Sequence, residues 1–179
     1  MPEDPYNRIA FEKAGIAKAG APLVTQRYTP AMAATISEVA ERAGATLFPR
    51  GEGWDIVQYR EQLHYGDEQG RIDLPLPRLA GKHQAGNLGL AIAMLRHQTV
   101  LSVSEAALRA APLWAQWPAR MQRLEAGPLT DLAQGRTIIL DGGHNPDAGQ
   151  ALAATLTESS LANNGVDLVT GMLANKDIR

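Results

Sequence analysis

Cysteine is absent from the 179 residues, which excludes disulfides, thiolate catalysis and Cys-ligated zinc and is compatible with a cytoplasmic location. Long apolar runs are missing too: none approaches the roughly 20 residues needed to span a bilayer. The acidic, proline-broken start Met1-Pro2-Glu3-Asp4-Pro5 lacks the basic and then apolar regions of a signal peptide. A soluble protein with no membrane partner is expected. Charge of neither sign dominates, with 17 Lys plus Arg against 19 Asp plus Glu and a formal charge of -2. That balance lacks the basic excess of a nucleic-acid binder, and small anionic substrates need only a few well-placed cations. The 4 histidines are scattered without helical pairing, which argues against a zinc site. Neither a G-x-x-x-x-G-K-[ST] phosphate loop nor a G-x-G-x-x-G dinucleotide loop occurs. What is present is an ordinary apolar share of 45%, enough for a core in one domain or two small ones.

The chain opens with a helical pattern over 8–18, interrupted at Gly15, and turns at Gly20-Ala21-Pro22 into a short strand, Leu23 to Thr25. Thr29 and Pro30 announce a helix as N-cap and first residue. Met32, Ile36, Val39 and Ala43 repeat at helical spacing, and Gly44 is the stop. A strand at 45–48 completes an α/β layer. Ile56 to Leu63 and Ile72 to Leu76 read as two arms of a hairpin around Gly66–Gly70. Helices are expected over 87–97 and 104–111. The Pro, Trp and Arg-rich stretch from 112 to 127 reads as a domain junction. Beyond it, a strand at 137–140, a loop, a helix from Pro146 and a strand at 167–170 form an expected βαβ unit. The expected division is therefore 1–111, a linker at 112–127, and 128–179, in an α/β fold.

Four loops contain side chains suited to chemistry. Asp141-Gly142-Gly143-His144-Asn145-Pro146 lies between a strand and a helix, where open α/β sheets bind ligands. Its glycines permit close approach, Asn145 and Pro146 suit a helix start, and Asp141 and His144 are placed to meet a ribose and a base. The same residues equally make a tight βα turn in which Asp and Asn only cap the helix. Gly81 to Asn87 enters a helix in the same manner, with amides that suit the edge of a base. Lys13, in Glu12-Lys13-Ala14-Gly15-Ile16, is either a solvated lysine or the precursor of an N-carbamate, a two-oxygen ligand of the kind Mg²⁺ prefers. Arg120, in Trp117-Pro118-Ala119-Arg120-Met121-Gln122, offers a fork matched to phosphate oxygens, or pairs with a surface carboxylate.

Taken together and in this order, the segments resemble one family. Ile9 to Pro22 is similar to I-A-x-E-K-A-G-I-x-K-x-G-x-P, and Leu79 to Asn87 to L-x-G-x-H-Q-x-x-N. Trp117 to Gln122 resembles W-P-[GA]-R-[LM]-Q, Leu140 to Pro146 resembles L-D-G-[AG]-H-N-P, and Gly171 to Asp177 resembles G-x-L-x-x-K-D. These are the motifs of the folylpolyglutamate synthase/dihydrofolate synthase family, part of the Mur ligase superfamily. The resemblance implies the C-terminal part of a Mur ligase-like central ATPase domain, followed by the start of a Rossmann-like C-terminal glutamate ligase domain.

It also implies an activity: ATP-dependent ligation of L-glutamate to dihydropteroate or to folate glutamyl tails through an acyl phosphate, with Mg²⁺. The family is usually monomeric. Carried over by motif, Lys13 is the carbamylated, Mg²⁺-associated lysine, Asn87 contacts adenine, Arg120 the phosphates, and Asp141 with His144 the ribose and base region. In the family a phosphate loop precedes E-K-A-G-I, whereas only eight residues precede Ile9 here, so an incomplete portion that is inactive by itself is expected. The alternatives are a Mur-type amino-acid ligase of cell-wall synthesis and a non-catalytic nucleotide-binding remnant.

Overall fold

The computed structural model describes residues 2–159, 161 and 165–173. Within them the chain divides into two compact units, one of residues 2–76 and 85–113, the other of 77–84 and the described residues from 114 onward.

The first unit begins with α1, Pro5–Ala14, where the Asp4 carboxylate accepts the Asn7 N–H at 2.8 Å. Strand β1, Pro22–Thr25, is followed by α2, Pro30–Ala43, and by β2, Thr46–Pro49. Thr29 caps α2 through its hydroxyl, Pro30 occupies the first turn, and Gly44 ends the helix in the left-handed conformation (φ 69°). The two strands pair in parallel, with Leu23 opposite Leu47. Ala10 and Ala14 of α1, Ile36 and Ala40 of α2, and Leu23 form a small core in which alanines let the helices approach.

A larger core lies under an antiparallel meander of β3, Trp54–Tyr59, β4, Gln62–Asp67, and β5, Gly70–Pro75. Alternation puts Trp54, Ile56, Leu63, Tyr65, Ile72 and Leu74 on one buried face. Helices α3, His83–His97, and α4, Glu105–Trp114, cover that face with Ile92, Ala93 and Leu108. One buried polar network ties the β4–β5 turn to α3. The Arg96 guanidinium donates Nε and Nη2 to the two oxygens of Asp67 at 2.6 and 2.7 Å, and the Tyr65 hydroxyl donates to Asp67 at 2.9 Å.

In the second unit, β6, Gln122–Arg123, pairs with β7, Ile139–Leu140; α5 is Pro128–Leu132 and α6 is Pro146–Glu158. Asn145 caps α6 by accepting the Ala148 N–H at 2.8 Å.

Four expectations need correction. The run from Ile56 to Leu63 is not one strand but parts of β3 and β4, joined by a turn at Arg60 and Glu61. Arg60 takes a left-handed φ of 54° that its residue type does not advertise. Helix α3 starts four residues before the expected Asn87, and α4 continues through Pro112 to Trp114, past the expected start of the linker. Instead of a parallel βαβ unit, β7 pairs antiparallel with β6, and residues 167–170 form no strand. Val169 is 96% exposed: a strand needs a neighbour, and none of the described residues provides one there. The Gly171–Asp177 motif lies partly outside the described residues, from 174 onward.

Candidate functional site

The W-P-A-R-M-Q and D-G-G-H-N-P segments are brought together in the second unit, and their own side chains do it. The β6–β7 register places Gln122 opposite Leu140, so Asp141 emerges beside Met121. One Asp141 oxygen, Oδ2, accepts the Met121 N–H at 2.8 Å; the other, Oδ1, accepts the Gly143 N–H at 2.7 Å. The Gly142 N–H donates to the Ala119 carbonyl at 2.9 Å, and the Gln122 Oε1 accepts the Ala119 N–H, also at 2.9 Å. The hydrogen bonds hold an unusual backbone: Ala119 and Met121 both lie in the left-handed region, at φ 54° and 46°. Each such residue costs about 1–2 kcal/mol without the freedom of glycine. Hydrogen bonds to a charged carboxylate, about 1.5–3 kcal/mol apiece, are of the size needed to offset that.

Arg120 sits between the two left-handed residues. Its side chain is exposed, and its Nη1 lies 3.6 Å from where a β-carbon on Gly142 would stand. It has no hydrogen-bond or ion-pair partner among the described residues. His144 turns back so that Nδ1 lies 3.0 Å from the Gly142 carbonyl oxygen. A neutral ring donating there leaves Nε2 as its acceptor. Gly143 has no room to spare, since a β-carbon would meet Asp141 Oδ1 at 2.9 Å. The arrangement presents an exposed guanidinium and an imidazole around a loop shaped by a carboxylate, a donor set that suits an anionic nucleotide.

In the first unit, Lys13 is in the last turn of α1, exposed, its side chain without an ion-pair or hydrogen-bond partner among the described residues. No three His, Asp or Glu side chains gather into a metal-binding cluster among the described residues, so these residues alone do not close a cage around Mg²⁺. Asn87 is exposed in α3. The start of α3 is tied to the carboxyl end of β1, and the carboxyl end of β2 is tied to β3. Gln26, next after β1, donates Nε2 to the Gly86 carbonyl at 2.8 Å. Arg50, next after β2, donates Nε to Asp55 at 2.8 Å and Nη2 to the Ile56 carbonyl at 2.7 Å. Burial pulls the Asp55 carboxyl upward. Hydrogen bonds from Arg50 and the Ile56 N–H, with the charges of Arg50 and Arg27, outweigh that and hold it below the usual carboxylate range.

No family model matches the chain. Individual relatives do. It is 30% identical over 178 residues to a folylpolyglutamate synthase of Lacticaseibacillus casei, covering 94% of this chain and 39% of that one. It is 34% identical over 172 residues to a dihydrofolate synthase/folylpolyglutamate synthase of Escherichia coli (strain K12), covering 95% of this chain and 37% of that one. Homologues of this chain are folylpolyglutamate and dihydrofolate synthases. A bifunctional synthase solved with Mn, AMPPNP and L-glutamate bound superposes with a TM-score of 0.69 at 28% identity, covering 88% of this chain and 35% of that one. The mixed α/β fold is thus the Mur ligase-like fold of the synthases, and the chain spans under half of their length.

Of the residues singled out from sequence, the structure brings Arg120, Asp141 and His144 together in one unit, and places Lys13 and Asn87 in the other unit's helices. Asp141 meets backbone N–H groups with both oxygens, a part the sequence did not disclose. Three residues with structural parts at these loops were missed: Gln26, Arg50 and Gln122. The signal for the first two was available, because each directly follows a parallel strand, where α/β sheets hold their sites.

Proposed function

We propose that the chain carries part of the nucleotide-binding and ligating apparatus of an ATP-dependent ligase that joins L-glutamate to dihydropteroate or to folate glutamyl tails. The observation that carries this reading is Arg120, held between two left-handed residues beside Gly142 with its guanidinium unpaired among the described residues. A surface arginine with no such task needs neither the strained backbone nor the clasp that secures it. The homologous synthase solved with Mn, AMPPNP and L-glutamate supports ATP and a divalent cation as the cofactors.

In this reading Arg120 neutralises phosphate charge, His144 and the Asp141 loop receive the ribose and base region, and Asn87 reads adenine. Asp141 acts chiefly by shaping the loop, because both of its oxygens already accept backbone N–H groups. Lys13, as an N-carbamate, supplies oxygen ligands toward Mg²⁺. We read 1–111 and 128–179 as portions of the central and C-terminal domains, joined by 112–127, of a cytoplasmic enzyme. No helix among the described residues is long and apolar enough to cross a membrane.

In-line phosphoryl transfer needs a cradle of backbone donors and a phosphate-binding lysine. The 179 residues include no G-x-x-x-x-G-K-[ST] loop, so this polypeptide alone is read as binding nucleotide without turnover. The test is calorimetric titration of MgATP into the chain and into Arg120→Ala. The wild type should bind saturably and the variant roughly tenfold more weakly, the scale of one charge-assisted hydrogen bond. Equal affinities would remove Arg120 from the site.

A further inference from the structure

We propose that Gln122 is a positioning residue for Arg120, an inference that rests on the nucleotide reading above. Gln122 belongs to β6 and is exposed, so nothing about burial obliges its side chain to find a protein partner. It nevertheless folds back three residues, and its Oε1 accepts the Ala119 N–H at 2.9 Å. That bond closes the turn from 119 to 122 at one end. Asp141 closes it at the other by accepting the Met121 N–H at 2.8 Å. Each clasp grips one of the two left-handed residues, Ala119 and Met121, and Arg120 is the residue between them.

Relaxation of either neighbour toward an ordinary φ swings the backbone that carries Arg120, and the guanidinium leaves its place beside Gly142. The two clasps are chemically different. Asp141 belongs to the opposing loop and also shapes Gly142 and Gly143, whereas Gln122 acts on the turn alone. Gln122 is therefore the position at which the placement of Arg120 can be altered while the D-G-G-H loop keeps its own hydrogen bonds.

The test is a double-mutant cycle in the full 179-residue chain, with MgATP affinity as the first readout and amide exchange of Ala119 as the second. Gln122→Met keeps the length of the side chain and removes the acceptor. It should speed exchange at Ala119 and weaken MgATP roughly fivefold, the scale of one neutral hydrogen bond. In the Arg120→Ala background the same substitution should cost nothing further, because residues acting through one another are not additive. Thermal melting identifies a variant that fails to fold; if Gln122→Met does so, Gln122→Leu takes its place in the cycle.

An affinity for Gln122→Met equal to wild type, beside a clear loss in Arg120→Ala, overturns the positioning role and leaves the nucleotide reading intact. Additive losses overturn it too, since they give Gln122 an effect independent of Arg120. Absence of MgATP binding by the wild type, or equal binding by Arg120→Ala, overturns the nucleotide reading and this inference with it.

Discussion

Arg96→Met is expected to destabilise the first unit by about 3–5 kcal/mol, the range found when one partner of a buried ion pair is removed. The Asp67 side chain has no exposed surface, Arg96 is 14% exposed, and the two meet through both guanidinium bonds. Burial alone pushes the Asp67 carboxyl upward. The hydrogen bonds from Arg96, Tyr65 and the Gln69 N–H, with the Arg96 charge, outweigh it and hold the group below the usual range. Methionine fills much of the same space but leaves the carboxylate buried without its cation.

The sign of the pH dependence gives a second, independent check. In the wild type the depressed carboxyl contributes stability above its unfolded value of about 3.9, lost as pH falls through the lower folded value. In Arg96→Met the folded value rises above the unfolded one, so protonation favours the folded state and stability increases as pH falls from neutral toward 4. Urea unfolding across that range reads both effects. A loss under 1 kcal/mol with an unchanged pH profile is incompatible with a buried pair.

Gly89→Ala is expected to destabilise the same core by roughly 1–3 kcal/mol, against the usual preference. In a helix interior alanine is better than glycine by about 1 kcal/mol, and α3 gains that much locally. Gly89, however, is where α3 presses on the meander. An added β-carbon would stand 2.5 Å from Ile56 Cγ2, 2.9 Å from Trp54 Cζ3 and 3.0 Å from Ile56 Cβ. Trp54 and Ile56 are 2% and 3% exposed and packed on every side, so neither has room to give. Overpacking of that kind costs about 1–3 kcal/mol in typical cores, and a contact this short adds to it. Thermal melting of the variant should show a lower midpoint. A raised midpoint would mean that α3 packs farther from β3 than the structure places it.

Elements that announce themselves through their own side chains were legible in sequence. Thr29, Pro30 and Gly44 bound α2 because capping is a local hydrogen-bonding event, settled within a few residues. Asn145 and Pro146 open α6 for the same reason. What the sequence concealed depends on distant partners. Arg60 accepts a left-handed turn with its guanidinium carbon 5.2 Å from the Tyr59 ring centre, and neither glycine, proline nor asparagine marks the place. The β6–β7 pairing joins residues 16 and 18 positions apart in too few residues to leave a periodic signal.

Candidate site residues were visible as motifs, but their work was not. Asp141 looked like a ribose acceptor because its partner, the Met121 N–H, lies 20 residues away and belongs to the backbone, which no side-chain pattern reveals. Gln122 was legible as the last letter of a motif, with no sign that its oxygen returns to Ala119. The exposed state of Lys13 adds nothing to what its sequence context offered.

Hydrogen–deuterium exchange with and without MgATP tests the central claim most directly, because it locates the nucleotide instead of only detecting it. If the arginine turn and the glycine loop form the nucleotide site, protection should fall on residues 118–123 and 140–146, while the meander amides of 54–75 stay unchanged. Protection confined to other segments, or none at nucleotide concentrations that saturate binding, would contradict the assignment of this clasped arginine to ATP.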